Sequence, residues 1–142
     1  MSRIFWDSML FVYLLEEGNE REKNRVRQLL KSSRDRRDSL FTSHLVLGEV
    51  LAGAHKSSDP AKTRLIREVL QEMGFSFLSF DAGAVDPFSA LRSIHRVPIA
   101  DSINLACAAS AGIDLFLTND TRLFKLHVPG IHFIADFNNP VL

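Results

Sequence analysis

Short apolar runs alternate along this chain with longer segments in which apolar residues recur every three or four positions. Ile4-Phe5-Trp6 is continuously apolar and ends at an acid, which predicts a buried strand. From Ser8 to Glu17 the positions Leu10, Phe11, Leu14 and Leu15 form a helical stripe closed by Gly18. A polar amphipathic helix follows over Glu20–Ser33, with Val26, Leu29 and Leu30 inward. Ser39-Leu40-Phe41-Thr42 reads as the second strand, and Ser43 can cap a third helix carrying Leu45, Val46, Val50 and Leu51. After the loop 56–60, Asp59 and Pro60 supply an N-cap and a first helical residue for a segment reaching Met73 and stopping at Gly74. Phe75–Phe80 is the third strand, Asp81–His95 is helical with a start after Asp86-Pro87 as the alternative, and Pro98 opens a helix that ends at Gly112. Leu115-Phe116-Leu117-Thr118 and Ile131-His132-Phe133-Ile134 complete five strands, with a helical turn at Leu123 and Phe124 between them. Strands alternating with helices predict an α/β fold on a mostly parallel sheet.

Composition narrows the classes. The 142 residues suit one domain, 1–142, and 46% hydrophobic content suffices for a core. Seventeen basic and seventeen acidic residues give no net charge, which excludes a globally basic nucleic-acid binder but not a local basic patch. No apolar run has the ~20 residues of a membrane helix, and Asp7 interrupts what would be the apolar stretch of a signal peptide. Cys107 is the only cysteine, so no intrachain disulfide or thiolate zinc cage can form. A reducing, cytoplasmic setting without membrane attachment is expected.

Four carboxylates stand out by position. Asp7 directly follows the first strand and Asp120 the fourth. Open parallel sheets bind ligands beyond the carboxyl ends of their strands, where strand order reverses. If strands one and four are neighbours there, the two acids share a crevice. Asp101 lies in the first turn of a helix that is apolar nearly all round (Ile103, Leu105, Ala106, Cys107, Ala108). An acid there complements the helix dipole, so a structural role stays open beside a functional one. Glu49 projects from a stripe of Leu45, Val46, Ala52 and Gly53, where a salt bridge to an arginine competes with metal binding as its purpose. Together the four form a candidate all-oxygen site for Mg²⁺ or Mn²⁺ rather than zinc.

In these residues the chain resembles the PIN-domain family, and within it the VapC-type ribonuclease toxins of prokaryotic toxin–antitoxin pairs. The first family acid, followed by Thr or Ser, matches Asp7-Ser8. The family's second helix, in which a small residue precedes a Glu-x-x-x-Gly stretch, matches Ser43 to Gly53, with Glu49 as its acid. Ile99-Ala100-Asp101-Ser102 opens the alanine-rich helix, and Thr118-Asn119-Asp120-Thr121-Arg122-Leu123-Phe124 matches the Thr-Asn-Asp-x-x-x-Phe turn. The resemblance spans nearly the whole chain. It implies a three-layer α/β/α sandwich with a five-stranded parallel sheet ordered 3-2-1-4-5. It implies a metal-dependent endoribonuclease using Asp7, Glu49, Asp101 and Asp120, supported by Ser8, Thr118 and Asn119. It further implies an RNA substrate, a homodimer and a cognate antitoxin whose C-terminal segment lies over the active-site groove. Two departures are visible: Met9 replaces a small polar residue that would support the metal, and Asp86-Pro87 interrupts the helix before the third acid.

Charge is sorted along the chain. Residues 20–38 hold eight basic and four acidic residues, a net +4, whereas residues 1–19 and 81–142 each carry −2. Arg21, Lys23, Arg25 and Arg27 are therefore candidates for RNA contact, against an ordinary solvated helix face. The five histidines lack metal-ligand spacing, and Trp6 and Phe11 read as core or interface. Asp81 and Asp136 read as caps, and Asp114 falls at the wrong end of the sheet. Three other readings compete: a housekeeping RNA-processing nuclease without antitoxin, a metal-free binding module on the same scaffold, and an aspartyl phosphatase. The phosphatase wants a second acid where Met9 stands.

Overall fold

The computed structural model describes residues 1–56 and 58–138, so Ser57 in the expected 56–60 loop and the last four residues lie outside the description. Five strands, β1 (Arg3–Trp6), β2 (Ser39–Ser43), β3 (Phe75–Leu78), β4 (Ile113–Thr118) and β5 (Ile131–Asp136), form one parallel sheet. Their order is β3-β2-β1-β4-β5. The connections are helices α1 (Ser8–Leu15), α2 (Glu20–Arg36), α3 (His44–His55), α4 (Pro60–Glu72), α5 (Val85–Ser93) and α6 (Ile99–Ala111). Right-handed crossovers place α1 to α4 on one face and α5 and α6 on the other, because the walk along the sheet reverses between β3 and β4. This is the expected three-layer α/β/α sandwich.

Covering both faces explains the strand sequences. Ile4, Phe5 and Trp6 are all fully buried, so β1 is apolar at consecutive positions instead of alternating. Phe5 stacks on Phe116 across the β1–β4 pair, with ring centroids 4.7 Å apart. On the α1 side, Trp6 packs edge-on to Phe75 at 4.9 Å and against Phe11 at 5.3 Å. These contacts assign Trp6 and Phe11 to the core. The Trp6 indole Nε1 is the one buried side-chain nitrogen or oxygen without a hydrogen-bond partner among the described residues.

Several element ends differ from the sequence pattern. The segment expected to be helical over Asp81–His95 is a 3-10 turn, Ala82–Ala84, followed by α5. Asp81 caps that turn through Ala84 N at 3.1 Å and also accepts from Ser110 Oγ at 2.8 Å. α2 runs three residues past Ser33 to Arg36, ending where Arg37 turns left-handed (φ 58). β3 stops at Leu78, and α1 stops at Leu15 rather than Glu17. The expected caps of α3 and α4 are present: Ser43 Oγ accepts from Val46 N at 3.0 Å, and Asp59 Oδ1 from Ala61 N at 3.0 Å. No helix among the described residues is long and apolar enough to cross a membrane.

Candidate active site

The β1–β4 register builds the centre. Trp6 pairs with Leu117, so the next residues, Asp7 and Thr118, emerge side by side at the carboxyl end of the sheet. Asp7 N continues the ladder to Leu117 O at 3.0 Å. Its side chain then turns back as the N-cap of α1, where Oδ1 accepts from Ser8 N at 2.8 Å. Oδ2 accepts from Thr118 Oγ1 at 2.8 Å, and Thr118 Oγ1 in turn accepts from Asp120 N at 3.1 Å. Thr118 is thus a link between the first and fourth acids. Ser8 supports Asp7 through its backbone N–H.

Asp7 is 9% exposed, and burial is the main cause that raises its carboxyl above the usual 3.8. The Thr118 and Ser8 hydrogen bonds oppose this, while the Asp120 charge adds to it. Asp101 is half-buried in the first turn of α6, and its pKa is raised by burial and then by Asp7 and Asp120. Glu49 is raised by burial, then by Asp7 and Asp101. Asp7 is thus within electrostatic reach of each of the other three acids, and β1 lies beside β4, the adjacency that spacing could only propose. Glu49 departs from the sequence expectation in one respect. It is exposed, because α3 turns its buried side through Val46, Val50 and Ala54 and leaves Gly48, Glu49, Ala52 and Gly53 toward the surface.

Asp120 differs from the other three, and the sequence pattern did not show why. Arg122 grips it at both oxygens, with Nε to Oδ1 at 3.0 Å and Nη2 to Oδ2 at 2.7 Å, while Arg122 N also donates to Oδ1. This fork lowers the Asp120 pKa from its usual 3.8. The signal was present in outline, since an Asp whose side chain bonds the backbone two residues on is a common turn. A second missed group is Asn104, whose Oδ1 accepts from Ser43 Oγ at 2.5 Å and so ties the start of α6 to the end of β2. Asn119 donates to Tyr13 Oη at 3.3 Å, which directs it toward α1.

The remaining expectations resolve simply. Asp114 accepts from Arg3 N at 2.8 Å and contacts His132 Nδ1 at 3.1 Å, at the opposite end of the sheet from the acids. His44 lies 3.1 Å from Ser79 Oγ and stacks on Phe77. Cys107 is buried, and burial pushes its thiol up to about 11, so it is not a nucleophile. Arg25 is tethered through Nε to Phe137 O at 3.2 Å. Arg21 and Arg25 share a groove with Asn24, Gln28 and Asn138; Lys23 and Arg27 do not line it.

Among the described residues no three His, Cys, Asp or Glu side chains could hold a metal ion as they stand. The chemistry of the donor set still fits a hard dication. A buried Asp7, a half-buried Asp101 and an exposed Glu49 lie within electrostatic reach of one another, with no cation paired to any of the three at ion-pair distance among the described residues. Mg²⁺ keeps several waters and commonly takes only one or two carboxylates directly.

A family model described as PIN domain matches residues 4–128. Eighteen chains of solved structures match the fold. One belongs to the VapBC2 complex of Rickettsia felis bound to a DNA fragment from its promoter; it is 17% identical with a TM-score of 0.70, covering 94% of this chain and 97% of that one. Another, from a toxin–antitoxin complex of Klebsiella pneumoniae, is 22% identical with a TM-score of 0.70, covering 92% and 95%. No curated protein matches the sequence.

Proposed function

The chain belongs to the PIN-domain family, and on that premise we propose that it is a Mg²⁺- or Mn²⁺-dependent endoribonuclease, the toxin of a toxin–antitoxin pair. The observation that carries this reading is the placement of Asp7 and Asp120 beside each other at the carboxyl ends of β1 and β4, joined through Thr118, with Asp101 and Glu49 within electrostatic reach of Asp7. Like charges are assembled there at a cost to the fold, which is the arrangement a bound dication repays.

Asp7, Asp101 and Glu49 would hold the ion, with Asp120 contributing as far as Arg122 leaves its oxygens free. When bound, such an ion lowers the pKa of a water and polarises the phosphodiester. The reaction adds water across a P–O bond: the water oxygen joins phosphorus, and the departing ribose oxygen takes up a proton. The chain's own contribution is positioning. Ser8 N and Thr118 Oγ1 each hold one oxygen of Asp7, so its orientation is set before substrate arrives. Arg122 is 70% exposed at its side chain and remains available to a phosphate as well as to Asp120.

The antitoxin reading is supported by the two complexes of like fold and by a groove of about 170 Å³ between α1, α3 and α4. Phe11, Leu15, Val50, Leu65 and Ile66 give it an apolar wall, and Glu49 lies at its lining beside the acids. An amphipathic segment with a basic residue would fit both features. Phe80, Val85, Ile94 and Ile99 are exposed around α5 and suit a second copy of the chain in a homodimer.

Purified protein is expected to cleave RNA with Mn²⁺ and not in EDTA, and Asp7→Asn and Asp101→Asn should each lower the rate by at least a hundredfold. Unchanged cleavage in both variants would sink the proposal.

A further inference from the structure

The acid cluster repels the substrate assigned to it, so attraction for RNA must come from elsewhere on the surface. The groove between α2 and the end of β5 has the required chemistry. It has a volume of about 420 Å³ and is lined by Arg21, Asn24, Arg25, Gln28 and Asn138. The first four recur at three- and four-residue intervals and so form one stripe of α2. Every lining side chain carries N–H donors, two are permanently cationic, and none is a carboxylate. Such a lining selects an anion.

The groove is also joined to the acids through a short run of contacts. Arg25 Nε donates to Phe137 O, which holds the guanidinium in place. Phe137 N donates to Thr118 O at 3.2 Å, and the Phe137 ring stacks on Tyr13 with centroids 5.4 Å apart. Tyr13 accepts from Asn119 Nδ2, beside Asp120. Thr118 meanwhile bonds Asp7. These contacts run beneath the surface, since Phe137 and Thr118 are buried, and they hold the groove wall and Asp7 against the same end of β4. A small anion would fill the groove alone, whereas only a chain of repeating phosphates engages groove and acids together.

We propose that the α2 groove formed by Arg21, Asn24, Arg25, Gln28 and Asn138 binds the phosphate backbone of the RNA strand whose scissile bond lies at the acids. This rests on the nuclease reading for its orientation but not for its binding chemistry. Arg21 and Arg25 neutralise phosphates, and Asn24, Gln28 and Asn138 hydrogen-bond phosphate or ribose oxygens. Lys23 and Arg27, on the same helix but outside the lining, contribute only diffuse attraction.

The test is fluorescence anisotropy of a labelled 12-nucleotide single-stranded RNA with the full chain in EDTA, where no metal-dependent cleavage can occur, over a range of KCl concentrations. Arg21→Gln with Arg25→Gln should weaken binding at least tenfold and flatten the salt dependence by about 1.4, since each phosphate contact on a single strand adds about 0.7 to the slope. The charge-matched pair Lys23→Gln with Arg27→Gln should change affinity less than threefold. Gln28→Ala should weaken binding two- to fivefold with the slope unchanged. It also decides the matter, together with Arg21→Gln, if Arg25 variants fold poorly through loss of the Phe137 tether. Equal losses from the two charge-matched pairs, or no loss from Arg21→Gln and Gln28→Ala, would overturn the groove. So would binding of an acidic peptide with none of RNA. Cleavage with Mn²⁺ is assayed separately. Absent cleavage with the groove pattern intact removes the nuclease reading alone, and cleavage without the pattern removes the groove alone.

Discussion

The Asp7 carboxylate accepts two hydrogen bonds, yet burial still lifts its pKa above the usual 3.8. A carboxyl that is harder to ionise folded than unfolded binds its proton more tightly in the native state. It then contributes full stability below its unfolded pKa and loses it as pH rises through the folded value. At neutral pH the ionised Asp7 thus weighs against folding. Asp7→Asn keeps the cap, because an amide oxygen can still accept from Ser8 N, and the new amide can donate to Thr118 Oγ1. In EDTA at pH 7 the variant should unfold at a higher temperature than the wild type, with the difference vanishing below about pH 4. Circular dichroism melts check this. A variant less stable at pH 7 would mean that its hydrogen bonds outweigh its desolvation. The same substitution should abolish any rise in melting temperature that Mn²⁺ gives the wild type, since only binding to the native state stabilises it.

At the scale of elements, the site depends on how β2, α3 and α6 are joined. Ser43 serves two of them at once: its Oγ accepts from Val46 N to cap α3 and donates to Asn104 Oδ1 on α6. Ser43→Ala removes the cap, worth about 1 kcal/mol. It also leaves the buried Asn104 oxygen without this donor, at a further cost of about 1–2 kcal/mol. A loss of about 2–3 kcal/mol in urea unfolding is expected, with Mn²⁺-dependent cleavage impaired because α6 carries Asp101. Gly130 is the other junction. Its φ is +100, and an added Cβ would collide with the backbone carbonyl of Ala109 at the end of α6. Gly130→Ala should cost at least about 2 kcal/mol by the same measurement, since neither partner is a movable side chain. The cap at Ser43 was legible in the sequence because it is local. Its bond to Asn104 was not, because 61 residues separate the two. The same holds for the 3-10 turn Ala82–Ala84, whose cap Asp81 is held by Ser110 Oγ from α6, 29 residues away.

Over the whole molecule, ionisation works in two directions. Asp7, Glu49 and Asp101 are raised from 3.8, 4.5 and 3.8, so their ionisation costs stability as pH climbs above that range. Asp120 is lowered from 3.8, and its contribution is lost only as pH falls below that value. The metal-free protein should therefore melt at a higher temperature near pH 5 than near pH 7.5. Added Mn²⁺ should shrink or invert that difference, because the ion prefers the deprotonated acids. Differential scanning calorimetry in EDTA and in Mn²⁺ reads both arms, and an identical pH dependence in the two would exclude the acids as the ion's site.

The pattern of apolar runs by itself determined five strands, the helices between them, and the fold class, because both faces of a parallel sheet must be apolar and that demand is written locally. It also singled out Asp7, Glu49, Asp101 and Asp120, because each sits at an element end or on an apolar stripe. Only the tertiary structure decided that these acids act on one another, that Arg122 claims Asp120, that Glu49 stands exposed, and that Arg21 and Arg25 share a donor-lined groove while Lys23 and Arg27 do not. Those facts depend on strand register and on which helix faces meet, so they arise between residues far apart in the chain. The zero net charge shows the same division. The sum and its sorting along the chain, +4 over residues 20–38, belong to the sequence, but that acids meet at one end of the sheet and that Arg21 and Arg25 share a groove is decided by β1 pairing with β4 and by Arg25 reaching Phe137.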